Sequence, residues 1–148
     1  MIAIIAIASG LATLSLRDPA ANRLEREGAR LAALLESARA EARAAGLSVV
    51  WQPLGAEASA TPGLTAAPAG TDFRFVGLPA SVTLPTRWLE PGIAAEVVGA
   101  PTLVLGPEPL IGAQRVVLRL DGRQLSLATN GLGPFAPVND DAVAAGAR

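Results

Sequence analysis

The sequence predicts an α+β fold. One long amino-terminal helix, hydrophobic in its first part and amphipathic in its second, packs on an antiparallel β-sheet head. Three observations lead there. Residues 1–16 carry no charge, residues 17–46 alternate charged side chains with Ala and Leu at helical spacing, and after Gly46 short extended runs are punctuated by Gly and Pro. At 148 residues the chain suffices for one domain with a real core, but is short for two. The resulting division is a hydrophobic helix at 1–16, its amphipathic continuation at 17–46, a β-rich head at 47–138 with a surface loop at 55–71, and a polar, Ala-rich tail at 139–148.

In the first segment Ile2, Ile4, Ile5, Ile7, Gly10, Leu11 and Leu14 are spread around every helical face, so no side is left for water. Such a segment is at home in lipid or in the core of a helix bundle. As a helix it spans roughly 24 Å, short of the ~20 residues that cross a bilayer. A signal peptide would place a basic stretch ahead of its apolar run, whereas here the run starts at residue 1. The expectation is therefore the distal part of a longer hydrophobic helix. Ala6 and Gly10 form a weak small-xxx-small pair that allows close helix approach.

Asp18 followed by Pro19 reads as an N-cap and first helical residue, and predicts a kink or restart at the water boundary. Beyond it Leu24, Gly28, Leu31, Leu35, Ala38 and Ala42 recur at three- and four-residue spacing and form one apolar stripe. Of these, Leu24, Leu31, Leu35 and Ala38 are the candidate helix–sheet contacts. The stripe serves either the protein's own sheet or a seam between subunits, and both can hold along one helix. Arg23 with Glu27, and Glu36 with Arg39, have spacings that place opposite charges together on the outer face. Gly46 is the predicted C-cap.

Strands are predicted at 47–51, 73–75, 82–84, 93–98 and 102–105. The strongest local pattern is 115–129, where VVLRL and RQLSL flank Asp121-Gly122, a favoured two-residue hairpin turn. That turn pairs Leu118 with Leu125 and Val116 with Leu127 on one face, and Arg119 with Gln124 on the wetter one. Asn130-Gly131 marks a further turn ahead of Phe135. Trp51 and Trp88 lie in apolar runs and are read as core residues, the alternative being exposed contacts.

The residue inventory narrows the chemistry. All twelve basic residues are Arg, and Lys, His, Cys and Tyr are absent. That leaves no zinc finger, thiol nucleophile, imidazole base, Schiff-base lysine or P-loop. A net charge of −1 without any basic cluster argues against nucleic acid. The adjacent carboxylates Asp140 and Asp141 lie in the tail, Glu108 and Asp121 lie in turns, and no calcium-loop spacing is present. Gly106-Pro107-Glu108-Pro109 reads as a rigid turn, its prolines lacking the amide donors that a phosphate cradle needs. No catalytic, cofactor-binding or metal-binding residue is assigned.

Three stretches carry a family resemblance. The run IAIIAIASGLATLSL, continuing into RDPAANRLEREGARLAALLESARAEARAAG, is similar to the amino-terminal helix of pilin-like proteins. FRFVGLP at 73–79 and LPTRWL at 84–89 form the second stretch. The third and most specific, LGPEPLIGAQRVVLRLDGRQLSLATNGLGPFAP at 105–137, resembles the carboxy-terminal block of the H-type minor pseudopilins of the type II secretion system. Pilin-like precursors also carry a short basic leader, a Gly cleavage point, a Phe and an acidic residue ahead of the apolar run. None has a counterpart here: the first acidic residue is Asp18, and no prepilin cleavage site is found in this chain.

The resemblance implies a pilin-like fold and a structural, non-enzymatic role. It implies a single-pass subunit of the bacterial inner membrane, with its head in the periplasm and no cofactor. The expected partners are membrane lipid, other major and minor pseudopilins and the inner-membrane assembly platform, with neither nucleic acid nor a small-molecule substrate. The fibre so assembled would drive folded proteins through the outer membrane. Two alternatives stay open: a minor pilin of a type IV pilus, and a membrane-tethered periplasmic binding module using Trp88 and the 55–71 loop.

Overall fold

A computed structural model describes residues 18–54 and 70–138. The run at 1–16, with Ile2, Ile4, Ile5, Ile7, Gly10, Leu11 and Leu14, lies outside the described residues, as do most of the 55–71 loop and the 139–148 tail.

Helix α1 (Pro19–Ala45) begins where Asp18, with extended backbone at φ −73 and ψ 112, accepts a hydrogen bond from the Ala20 N–H at 3.0 Å. Pro19 occupies the first turn, where its missing N–H has no intrahelical partner to lose. The helix ends at Gly46, in the left-handed region at φ 64, whose N–H bonds to the Ala42 carbonyl. One face buries Leu24, Gly28, Leu31, Leu35, Ala38 and Ala42. Removing a Leu side chain of this kind from water contributes on the order of 2 kcal/mol.

Among the described residues seven strands form two antiparallel sheets rather than the single sheet expected. The first has the order β2-β1-β4, built from β1 (Val49–Pro53), β2 (Phe73–Val76) and β4 (Leu103–Gly106). The second has the order β3-β5-β6-β7, built from β3 (Ala94–Val97), β5 (Gln114–Leu120), β6 (Arg123–Thr129) and β7 (Ala136–Val138). The helix contacts both sheets. Between them the Gln114 carboxamide takes the place of a strand residue: its Oε1 accepts from the Val104 N–H at 2.7 Å, and its Nε2 donates to the Val104 carbonyl at 2.9 Å. The β4 edge is thereby satisfied by a side chain.

The β5–β6 hairpin pairs Leu118 with Leu125, Val116 with Leu127 and Arg119 with Gln124. Its turn residues Asp121 and Gly122 sit at φ 49 and φ 76, the two positive values that a two-residue turn matching strand twist requires. Two expectations fail. Residues 82–84 form no strand; bounded by Pro79 and Pro85, they run as irregular backbone, with the Val82 N–H donating to the Pro79 carbonyl and Leu84 packed against the core. Conversely Ala136–Val138 pairs with β6, a strand hidden by its brevity and by Pro137, which an edge position tolerates.

The core joins helix and sheets around Trp51, which is fully buried, with Phe73, Leu103, Leu105, Leu118 and Leu127. Phe73 lies between two indoles, its centroid 5.7 Å from Trp51 and 4.7 Å from Trp88, in tilted arrangements. Trp88 is half-buried on this cluster.

Candidate interaction surface

The helix carries two charged residues where an apolar stripe would be expected to admit none. Glu27 and Arg39 are each only 2% exposed. Three residues after Leu24 and four after Leu35, they flank the stripe at spacings that keep them on its side of the helix. The sequence reading put both on the outer face, paired with Arg23 and Glu36. In the structure Arg23 is 3.8 Å from Glu90 instead, while the Glu36–Arg39 pair forms at 3.0 Å with its guanidinium buried. Helical spacing finds neighbours on one helix, and has no access to the loops that cover it.

Each buried charge holds a segment lacking regular structure. Glu27 accepts the Leu89 N–H at 3.1 Å, and its other oxygen lies 3.5 Å from the Arg30 guanidinium, which donates to the Arg87 carbonyl at 3.0 Å. From the sheet side, Asp72 accepts the Trp88 N–H at 2.8 Å, and the Thr86 carbonyl accepts the N–H groups of Asp72 and Phe73. Residues 86–89 are thus tied to helix and sheet through backbone groups that no ladder would satisfy.

At the other end of the helix Arg39 donates to the Gly133 carbonyl at 2.9 Å, and Glu36 Oε1 accepts the Phe135 N–H at 3.4 Å. The loop is braced again by Thr129 Oγ1, which donates to the Gly133 carbonyl, and by Asn130 Oδ1, which accepts from the N–H groups of Leu132 and Gly133. Neither brace was legible, because each depends on helix partners 57 to 99 residues away.

The helix–sheet candidates Leu24, Leu31, Leu35 and Ala38 all belong to the head's own core. Gly28 sits among them at closest approach to the sheet: a Cβ there would fall 2.4 Å from the Leu125 Cδ2. Asp18 and Pro19 start the helix, and Arg123 from the hairpin forms an ion pair with Asp18. Desolvation pushes the Asp18 carboxyl up, but the Ala20 N–H and the Arg123 guanidinium outweigh it and hold the group below its ordinary value.

What remains outside is a set of small and apolar surfaces on braced backbone. The exposed face of α1 includes Ala29, Ala33, Ser37 and Ala40. On the outer face of the first sheet Val76 and Val104, 45% and 42% exposed, flank Val50 in direct register. Leu89 and Leu132, the residues displayed by the two braced segments, are each 72% exposed. An apolar side chain on rigid backbone binds without first losing much chain entropy, so such positions suit contact with another protein.

Among the described residues no group of three or more His, Cys, Asp or Glu side chains is placed to hold a metal ion. No described helix is long and apolar enough to cross a membrane. Neither the family models nor the curated proteins nor the solved structures compared with this chain give a match.

Proposed function

We propose that this chain is a structural minor pseudopilin of the H type in the type II secretion system, held in the bacterial inner membrane with its head in the periplasm. The observation that carries the reading is the division of labour along one helix. Its inner face is locked into the head by Leu24, Leu31, Leu35 and two buried charges, its outer face presents Ala29, Ala33, Ser37 and Ala40, and its sequence follows an uncharged run of sixteen residues. Small outward side chains let neighbouring helices approach closely, and an apolar run transfers from lipid to a helix bundle at little cost because both surroundings are apolar. The α+β head with its antiparallel sheets is compatible with a pilin-like fold.

In this role the protein performs no chemistry. The partners are other pseudopilins of the fibre, the assembly platform and lipid, and the fibre's movement drives folded proteins through the outer membrane. The tethered-binder alternative placed Trp88 and the 55–71 loop at a ligand surface; the half-buried Trp88 ring packs at a tilt against Phe73, centroids 4.7 Å apart, which leaves it less surface to offer a ligand. A minor pilin of a type IV pilus uses the same physical features and differs in its partners. Affinity capture of the tagged protein, co-expressed with the pilin-like subunits of each system, separates the two. Retention of secretion pseudopilins supports the proposal, and retention of type IV subunits alone replaces it.

A further inference from the structure

The outer face of the first sheet sets an apolar row beside a cation that no described carboxylate neutralises. In β1 and β2 the side chains of Val49, Trp51, Phe73 and Phe75 turn to the core, so Val50, Gln52, Arg74 and Val76 occupy the opposite face. Val104, between buried Leu103 and Leu105, joins them from β4. Val76, Val50 and Val104 lie in direct register across the three strands, Val50 half-buried and the outer two 45% and 42% exposed. With strands about 4.8 Å apart, the row is about 10 Å wide.

Two residues along the strands, Gln52 and Arg74 stand opposite each other. The Gln52 Oε1 accepts from the Arg74 Nε at 3.0 Å and from its Nη2 at 2.8 Å, which fixes the guanidinium on the sheet. A neutral carboxamide orients the cation without cancelling its charge. Among the described residues the ion pairs engage Arg23, Arg30, Arg39, Arg119 and Arg123, and none engages Arg74. The N–H groups left over keep the fork geometry that suits a carboxylate. The valine row is held as firmly, since the Gln114 carboxamide binds both the N–H and the carbonyl of Val104. A pre-oriented Arg beside apolar side chains has the composition of a protein contact, where Arg is enriched. A bare phosphate would have no use for the valines.

We infer that this face docks an extended segment of a partner protein in which an aliphatic side chain and a carboxylate stand two residues apart. An extended chain advances about 7 Å over two residues, the same step that separates the valine row from Arg74. The aliphatic side chain covers Val50 and its neighbours while the carboxylate meets the guanidinium. The footprint is narrower than a standard protein interface, so a single strand fills it and the isolated contact is weak. The inference does not depend on the fibre reading, and its test involves no pilin-like subunit. The probe is the peptide acetyl-TVTET-amide, titrated into the detergent-solubilised full chain, with acetyl-TVTQT-amide as its uncharged counterpart. Chemical-shift changes are expected at the methyl groups of Val50, Val76 and Val104 and at the Arg74 Nε–H, the glutamate peptide binding at least about fivefold more tightly than the glutamine one. Arg74→Gln should bring the two peptides to the same affinity. Val76→Thr, which keeps the branched shape, should weaken both. Absence of shifts at these four residues with millimolar peptide overturns the inference, as does equal affinity of the two peptides for the unaltered chain. So does an equal Arg74 shift from sulfate, which would make the site a general anion contact. Shifts that grow with protein concentration alone would make a second copy the occupant and overturn it too.

Discussion

The two sheets reach similar burial by opposite routes. In the second, β5, β6 and β7 follow one another within 114–138, and a two-residue turn sets the register of the longest pair. In the first, β1, β2 and β4 come from 49–53, 73–76 and 103–106, so each pairing closes a loop of some twenty residues or more. Loop closure costs entropy before any contact forms. That cost is offset by the Trp51, Phe73 and Trp88 cluster and by hydrogen bonds to residues 86–89, which only the folded head brings together. The hairpin is a local structure to which the helix is added. The first sheet exists because the helix and the aromatic cluster are there.

The comparison can be broken most forcefully at Trp51. Trp51→Ala should cost about 3–5 kcal/mol in denaturant unfolding. Amide exchange should quicken first in 49–53 and 73–76, with 114–129 lagging; equal loosening of both sheets would refute the distinction. Next comes Arg39, which joins the helix to the loop after the hairpin. Arg39→Ala should cost on the order of 2 kcal/mol, since a buried side chain that bonds the Gly133 carbonyl and the partly exposed Glu36 is removed, whereas Arg39→Met should cost less by keeping most of its volume. A smaller effect is expected at the turn. Gly122→Ala, at φ 76, should lose about 1 kcal/mol, expressed mainly within the hairpin.

The smallest effect is pH-dependent. The Asp18 carboxyl is held below its ordinary value, so between the folded and unfolded pKa values the unfolded chain binds more protons. Its contribution is therefore present above the unfolded value of about 3.9 and lost as pH falls through the folded one. Melting temperatures of the wild type and Asp18→Asn should differ at neutral pH and converge in acid. A constant difference would mean that the carboxylate's charge is irrelevant to the cap.

What the sequence disclosed follows the same division. The helix limits, the apolar stripe and the hairpin register are written in contiguous residues whose period or turn chemistry is unambiguous: Asp18-Pro19, Gly46 and Asp121-Gly122. The splitting of the head into two sheets was not visible, because it depends on Gln114 meeting Val104 and on which distant strands become neighbours. Glu27 and Arg39 were misplaced for a related reason. A charged residue beside an apolar stripe reads as solvated unless its buried acceptor or donor is known, and here those are the Leu89 N–H and the Gly133 carbonyl. Their burial alone would have drawn attention, since fully buried charges are rare unless paired. Candidate contact residues such as Leu89 and Leu132 emerge only once the bracing of their backbones is seen.

The central claim is that α1 holds the head with one face and a neighbouring subunit's helix with the other. A cysteine introduced at Ser37, on the exposed face of a chain with no native cysteine, tests it directly by cross-linking in membranes that contain the pilin-like subunits. The account predicts a specific adduct with another subunit's helix from Ser37→Cys, and none from Ala38→Cys, one residue round on the buried face. Absence of any subunit adduct at position 37, with the cysteine shown to be reactive, would contradict it.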